Sequence, residues 1–191
     1  MRLHKGNKQQ RVEERGFTLI ETMVSICVLT VGLVALAGVM GMAMARTEGS
    51  QQLAISKQLA NEALESILTA RETANITWAQ IQNTGGGGIF LPGFNPIYNA
   101  GADGIIDTAD DAASGYQTLT LPGPDGIYGT ADDIQIPLTN YQREVVIAQA
   151  NDNFGNPISG LRLVTITINY YPQGFTVPQT YILTTYISAY R

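Results

Sequence analysis

The chain has 191 residues and a formal net charge of −5, and this length suits one ordinary domain with a helical extension. Five Lys or Arg in the first sixteen residues face only two Glu, whereas the remainder holds six Lys or Arg against fourteen Asp or Glu, so most of the surface would repel nucleic acid. The single cysteine, Cys27, excludes an intrachain disulfide and a thiolate metal cluster, and the single histidine, His4, leaves no imidazole after residue 16 for a catalytic triad or a histidine metal site.

Residues 17–45 form the longest apolar run of the chain, with Glu21 as its only charged member. The run exceeds the roughly 20 residues that span a bilayer as a helix. The leader before it, residues 1–16, is basic, and almost no basic residue follows the run directly. That asymmetry predicts a single-pass membrane helix, with the N-terminus in the cytoplasm and the rest of the chain outside.

The boundary between leader and apolar run is abrupt, because Gly16 ends the first and Phe17 begins the second. An ordinary secretory signal loses its apolar part on cleavage, whereas a cut after Gly16 would remove only the charged part. The stretch GFTLIE, residues 16–21, resembles the processing site of type IV pilins and pseudopilins. The resemblance implies that a prepilin peptidase cleaves after Gly16 and N-methylates Phe17.

Glu21 lies where lipid disfavours a charge, since an unpaired carboxylate at membrane depth costs at least a few kcal/mol. The family resemblance implies that this glutamate meets the new amino group at Phe17 of a neighbouring subunit, so that Glu21 serves assembly. The alternative is that the side chain simply reaches the membrane interface from the end of the segment.

After Arg46 the sequence becomes amphipathic, with apolar residues at three- and four-residue spacing from Leu53 to Leu68. The first proline is Pro92, so one helix from about residue 18 to about residue 71 is predicted. We expect an apolar membrane or stalk helix at 17–45, its amphipathic continuation at 46–72, and a globular β head at 73–191.

The rest of the chain predicts an antiparallel sheet that rests on the amphipathic part of the helix. Threonine, tyrosine and β-branched residues alternate in the strongest candidates. The predicted strands are 116–121, 141–148, 161–171 and 179–190, with a hairpin between the last two and a loop without strands at 84–96. The fold class is therefore α+β, and the resemblance makes it pilin-like.

One internal repeat stands out. GADGIIDTADD, residues 101–111, is called here the first Asp loop, and GPDGIYGTADD, residues 123–133, the second Asp loop. Their carboxylates are Asp103, Asp107, Asp110 and Asp111 in the first, and Asp125, Asp132 and Asp133 in the second. No Lys or Arg lies among them, so the repulsion between them predicts a bound Ca²⁺, which prefers oxygen ligands in loose geometry. The alternative is that the Asp-Gly pairs build solvated turns.

The resemblance implies a structural protein, a minor pilin most similar to the PilV-type, which is held in the bacterial inner membrane and then assembled into a type IV pilus or related filament outside the cell or in the periplasm. Its partners would be a prepilin peptidase and other pilin subunits. A minor pseudopilin of a type II secretion system is the nearest alternative. A membrane-anchored metal-dependent hydrolase would use paired aspartates, but the sequence offers no histidine, cysteine or neighbouring arginine to assist them, so we do not expect an enzyme. A ligand-binding head would add to the pilin reading, with Trp78, Phe90, Phe94 and Tyr98 as contact surface.

Overall fold

A computed structural model describes residues 16–172 and 177–190 of the chain. The chain divides into two units, one up to Arg46 and the other from Thr47 onward, here the N-terminal and C-terminal units. The first helix, α1, is Leu19–Glu72. It begins where Thr18 Oγ1 accepts a hydrogen bond from the Glu21 N–H at 3.3 Å. The leader, apart from Gly16, lies outside the described residues.

In the N-terminal unit, the side chains of residues 17–45 are all exposed. Large apolar residues such as Val31 and Val34 each expose 72% of their surface. Within the described residues, α1 is the one helix long and apolar enough to cross a membrane. The structure therefore confirms the long apolar helix that the sequence predicts.

In the C-terminal unit, α1 buries one face. Leu59, Ala63 and Ile67 are at most 4% exposed and belong to the same core as the sheet. Their spacing of four residues places them on one side of the helix, as predicted. The small residue Ala60, next to Leu59 on the helix, is fully buried.

The main sheet has four antiparallel strands in the order β1-β4-β5-β6. These are β1 (Asn95–Pro96), β4 (Tyr141–Asn151), β5 (Pro157–Tyr170) and β6 (Gln179–Ser188). Along β5, Val164, Ile166 and Ile168 are fully buried, whereas the threonines between them are partly exposed. This alternation is the period of a strand with one face in a core, and the three longest predicted strands are confirmed. The hairpin predicted between β5 and β6 includes residues 173–176, which lie outside the described residues.

Two predictions about short segments were wrong in part. The strand predicted at 116–121 is confirmed as β2 (Thr118–Leu121), but it pairs with β3 (Ile134–Pro137) in a separate ribbon and does not join the main sheet. The segment 84–96 was predicted to lack strands, yet it ends in β1, which pairs with β4. Both errors concern segments of four residues or fewer, which are too short to show a reliable period.

Two polar side chains hold the segment after α1 against the sheet. Asn83 Nδ2 donates to the Val145 carbonyl at 2.6 Å, and Asn83 Oδ1 accepts from the Ile147 N–H at 2.9 Å. Arg162 donates from Nη1 to the carbonyls of Trp78 and Ile81, and its guanidinium carbon lies 4.3 Å from the centroid of the Trp78 ring. Asn83 therefore ties this segment to β4, and Arg162 ties it to β5.

Candidate functional site

The predicted processing site lies at the start of α1. Gly16 and Phe17 precede the helix in non-helical backbone, and Phe17 exposes 78% of its surface. Glu21 lies in the first turn, and its backbone N–H is capped by the hydroxyl of Thr18. A negative side chain in the first turn is also favoured by the helix dipole. The sequence placed the start of the helix at about Thr18, and a threonine three positions before a glutamate is a typical helix-start signal.

The first Asp loop is built around the carboxylate of Asp111. Oδ1 accepts from the Gly101 N–H at 2.9 Å, while Oδ2 accepts from the N–H groups of Asp107 and Thr108 at 2.5 and 3.2 Å. Asp111 is only 3% exposed, so these donors replace the water that the carboxylate loses on burial. The Asp111 carboxylate therefore holds the two ends of the first Asp loop together.

Asp110, which is less buried than Asp111, also accepts hydrogen bonds from within the first Asp loop. Oδ1 accepts from the Thr108 hydroxyl at 2.7 Å and Oδ2 from the Asp103 N–H at 3.3 Å. These hydrogen bonds, the hydroxyl first, lower the pKa of Asp110 below its usual range. Gly101 lies so close that an added Cβ would be 2.2 Å from Asp110 Oδ2, which explains why the repeat begins with glycine.

The second Asp loop repeats this construction. Thr130 Oγ1 donates to Asp132 Oδ1 at 2.7 Å, the same distance as between the equivalent atoms of the first loop. Gly129 N–H donates to Asp133 Oδ2 at 2.7 Å. The hydroxyl of Thr130 likewise lowers the pKa of Asp132. In both loops, the two adjacent aspartates at the end of the repeat therefore accept hydrogen bonds from groups within their own loop.

The structure brings three of the seven predicted ligands together. Oxygen atoms of Asp103, Asp110 and Asp111 all lie within 4.8 Å of one another, and this is the one such group within the described ranges. Asp107 and the three aspartates of the second loop do not form part of it. Only carboxylates make up the group, which is the donor chemistry that calcium prefers.

Asp107 faces an arginine that the sequence prediction did not place near the aspartates, and this corrects the expectation that no arginine accompanies them. Asp107 Oδ1 lies 4.0 Å from Arg143 Nε, and the two side chains are 2% and 1% exposed. Arg143 occupies a core-facing position of β4, in step with Tyr141 and Val145. An arginine at a core-facing position of an alternating strand was the sequence signal for this pair, because a buried arginine needs a partner of opposite charge.

The Asp107–Arg143 pair is incompletely satisfied. Asp107 Oδ2 and the Nε and Nη1 atoms of Arg143 are buried without hydrogen-bond partners. Burial raises the pKa of Asp107 to about 7 despite the attraction of Arg143, and the nearby Asp111 carboxylate adds to the increase. Burial also lowers the pKa of Arg143, and the attraction of the Asp107 carboxylate opposes this decrease.

A cavity of about 230 Å³ adjoins Asp107 and is also lined by Asp111, Asn95 and Tyr98 among others. A carboxyl with a raised pKa in a cavity can exchange protons near neutral pH, which is a property of general acids and bases. The same property arises wherever burial and an ion pair compete, and here both causes are visible. Burial, opposed in part by the ion pair, therefore accounts for the raised pKa of Asp107 without a substrate.

Comparison of the chain with family models, curated proteins and solved structures found no match. The features of the chain that bear on its function are residues 16–21, the exposed apolar part of α1 and the two Asp loops.

Proposed function

We propose that this chain is a pilin-like structural subunit, released from its leader by cleavage after Gly16 and assembled into a filament through α1. The observation that carries the proposal is the direct junction of a basic leader, Gly16 and Phe17 with a helix whose side chains are exposed throughout residues 17–45. This junction supports processing that retains the apolar helix.

The exposed apolar face of α1 needs an apolar environment. Burial of one Leu, Ile or Val side chain is worth about 1.5–3 kcal/mol, so the eleven such residues exposed within residues 17–45 cannot remain in water. The membrane provides this apolar environment before assembly, and the helices of neighbouring subunits provide it afterwards. Gly32, Gly38 and Gly41 have no atom within 4 Å of a potential Cβ, which leaves room for the close approach of another helix.

Glu21 would provide specificity in this assembly. Cleavage after Gly16 creates an amino group at Phe17, about one helical turn from Glu21 along the chain. When helices leave lipid and bundle together, an amino group on one subunit can neutralise the carboxylate of the next, and this removes the cost of an unpaired charge.

The test is expression of the chain beside a prepilin peptidase, with mass spectrometry of the mature N-terminus. We expect a chain that begins at N-methylated Phe17, and no cleavage for Gly16→Leu. Glu21→Gln should still be cleaved but should fail to enter filaments, whereas Glu48→Gln, a matched change further along α1, should enter normally. Retention of the leader in the native product, or loss of the apolar helix, would refute the proposal.

We also propose that the first Asp loop, rather than the second, holds Ca²⁺. The grouping of Asp103, Asp110 and Asp111 supports this choice. Asp103 and Asp110 are less buried than Asp111, which leaves their oxygens accessible to an ion. Such an ion would hold the ends of the loop together in the same way as the internal hydrogen bonds do, so its effect would be on stability.

A further inference from the structure

The two Asp loops have the same backbone shape. In each, the residue at the fourth position is a glycine with positive φ, 72° at Gly104 and 69° at Gly126. Three positions later φ is again positive, 70° at Asp107 and 85° at Gly129. The shared hydrogen bonds described above fix this shape in both loops, so the second loop is as well defined as the first.

The surroundings of the two loops differ completely. Ile105 and Ile106, at the tip of the first loop, are 2% and 5% exposed. The equivalent residues of the second loop, Ile127 and Tyr128, are 60% and 66% exposed. One tip is therefore covered by protein and the other is not, although the loops are built alike.

The first tip is covered by the last part of α1 and by the turn that follows it. The Ile106 N–H donates to Ser66 Oγ at 3.1 Å, and Asn75 Nδ2 donates to the Asp103 carbonyl at 3.2 Å. Ile105 belongs to the hydrophobic core that includes Ile67 of the helix. In the second loop, the N–H of Tyr128 has no acceptor among the described residues. The contacts of the first tip with α1 therefore show what kind of surface a tip of this shape can pack against.

We propose that the tip of the second Asp loop, Ile127 and Tyr128, docks against an α-helix of a different protein, in the way that the first tip docks against α1. The partner surface would carry small residues with a hydroxyl to accept the Tyr128 N–H, as Ser66 does for the first loop. Because the loop is already ordered by its own hydrogen bonds, docking costs little conformational entropy. Tyrosine is also among the residues that contribute most at protein interfaces.

Other occupants fit less well. The second loop carries Asp125, Asp132 and Asp133 and no Lys or Arg, so an anionic membrane surface would repel it. In a second copy of this chain, the matching surface at Ser66 is already covered by that copy's own first loop. The inference does not depend on whether the chain is a filament subunit.

The experiment uses the full-length chain in its native host, with the photo-crosslinking residue p-benzoylphenylalanine at position 128 and, as the matched control, at Phe154. Phe154 is 90% exposed in the turn between β4 and β5, so it reports random encounters. Mass spectrometry identifies the crosslinked peptide. We expect position 128 to give one dominant adduct, on an α-helical segment of another protein, and Ile127→Ser to reduce its yield by about tenfold, the equivalent of about 1.4 kcal/mol.

Several outcomes would overturn the proposal. These are an adduct yield no higher than that at Phe154, adducts mainly with lipid, adducts with a second copy of this chain, and adducts on a segment that is not helical. Folding is checked separately by thermal unfolding. Ile127→Ser should leave the midpoint unchanged, whereas Ile105→Ser, the equivalent change in the covered loop, should lower it, and equal losses would mean that Ile127 is structural in this chain.

Discussion

Replacement of Asp107 by asparagine should change how the stability of the C-terminal unit depends on pH. The pKa of Asp107 is about 7 in the folded chain against an ordinary value of 3.8, because burial opposes the charged form. Between these two values the folded state holds a proton that the unfolded state has lost. Stability therefore falls as pH rises through this range, and it levels off above pH 7. Asparagine carries no such proton and tolerates the positive φ of this position.

The size of the effect follows from the two pKa values. When the folded state holds one proton more than the unfolded state, the free energy of unfolding falls by about 1.4 kcal/mol per pH unit. Integration from pH 5 to pH 7.5 gives a loss of roughly 2–3 kcal/mol in the free energy of unfolding. Asp110 and Asp132 have lowered pKa values, so their contribution is present above the ordinary value and is lost only as the pH falls below it. Their titration is therefore separated in pH from that of Asp107.

The assay is urea unfolding of the full chain in a mild detergent, followed by fluorescence. Trp78 is the only tryptophan, and the Arg162 guanidinium lies over its ring, so loss of the native contact should change the emission. Asp103→Asn is the matched control, because Asp103 is exposed in the same loop. The slope and not the absolute stability is compared, since asparagine at 107 also removes the attraction for Arg143. An Asp107→Asn variant that keeps the wild-type slope would refute this reasoning.

Arg162→Lys should lower the free energy of unfolding by about 1–3 kcal/mol, because one ammonium cannot both cover Trp78 and donate to the two carbonyls at Trp78 and Ile81. Urea unfolding measures this, and an unchanged midpoint would contradict it. Asn83→Asp should cost about 2 kcal/mol at pH 8, because a carboxylate oxygen would replace the donor that faces the Val145 carbonyl, and equal stability would show that the side chain is dispensable. Removal of calcium by a chelator should lower the thermal midpoint by an amount equivalent to roughly 2.7 kcal/mol when the free ion stands at 100 times its dissociation constant, whereas an unchanged midpoint would remove the calcium proposal for the first Asp loop.

Sequence periodicity predicted the parts of the fold that depend on near neighbours. Hydrophobicity over residues 17–45 indicated the apolar helix, and the alternation within 161–171 indicated β5 together with its buried face. A helix or a long strand repeats the same local environment many times, so its pattern is visible without knowledge of its partners.

Pairing between distant segments was not visible in this way. Two residues are enough for β1 because β4 supplies its partner, and β3 exists because β2 lies beside it. Likewise, Asp107 and Arg143 are far apart in sequence, and only the approach of the first Asp loop to β4 makes them an ion pair. Such contacts depend on where the whole chain passes.

The twin Asp loops show most directly which features follow from the local sequence and which follow from the tertiary structure. Their sequence by itself determined the shape of each loop, because the aspartates, threonines and glycines that form the hydrogen bonds lie within a few residues of one another. Only the tertiary structure decided that Ile105 is buried while Ile127 is exposed, since that depends on whether α1 lies against the tip. Local chemistry builds the loop, and the surrounding chain determines whether it serves as core or as surface.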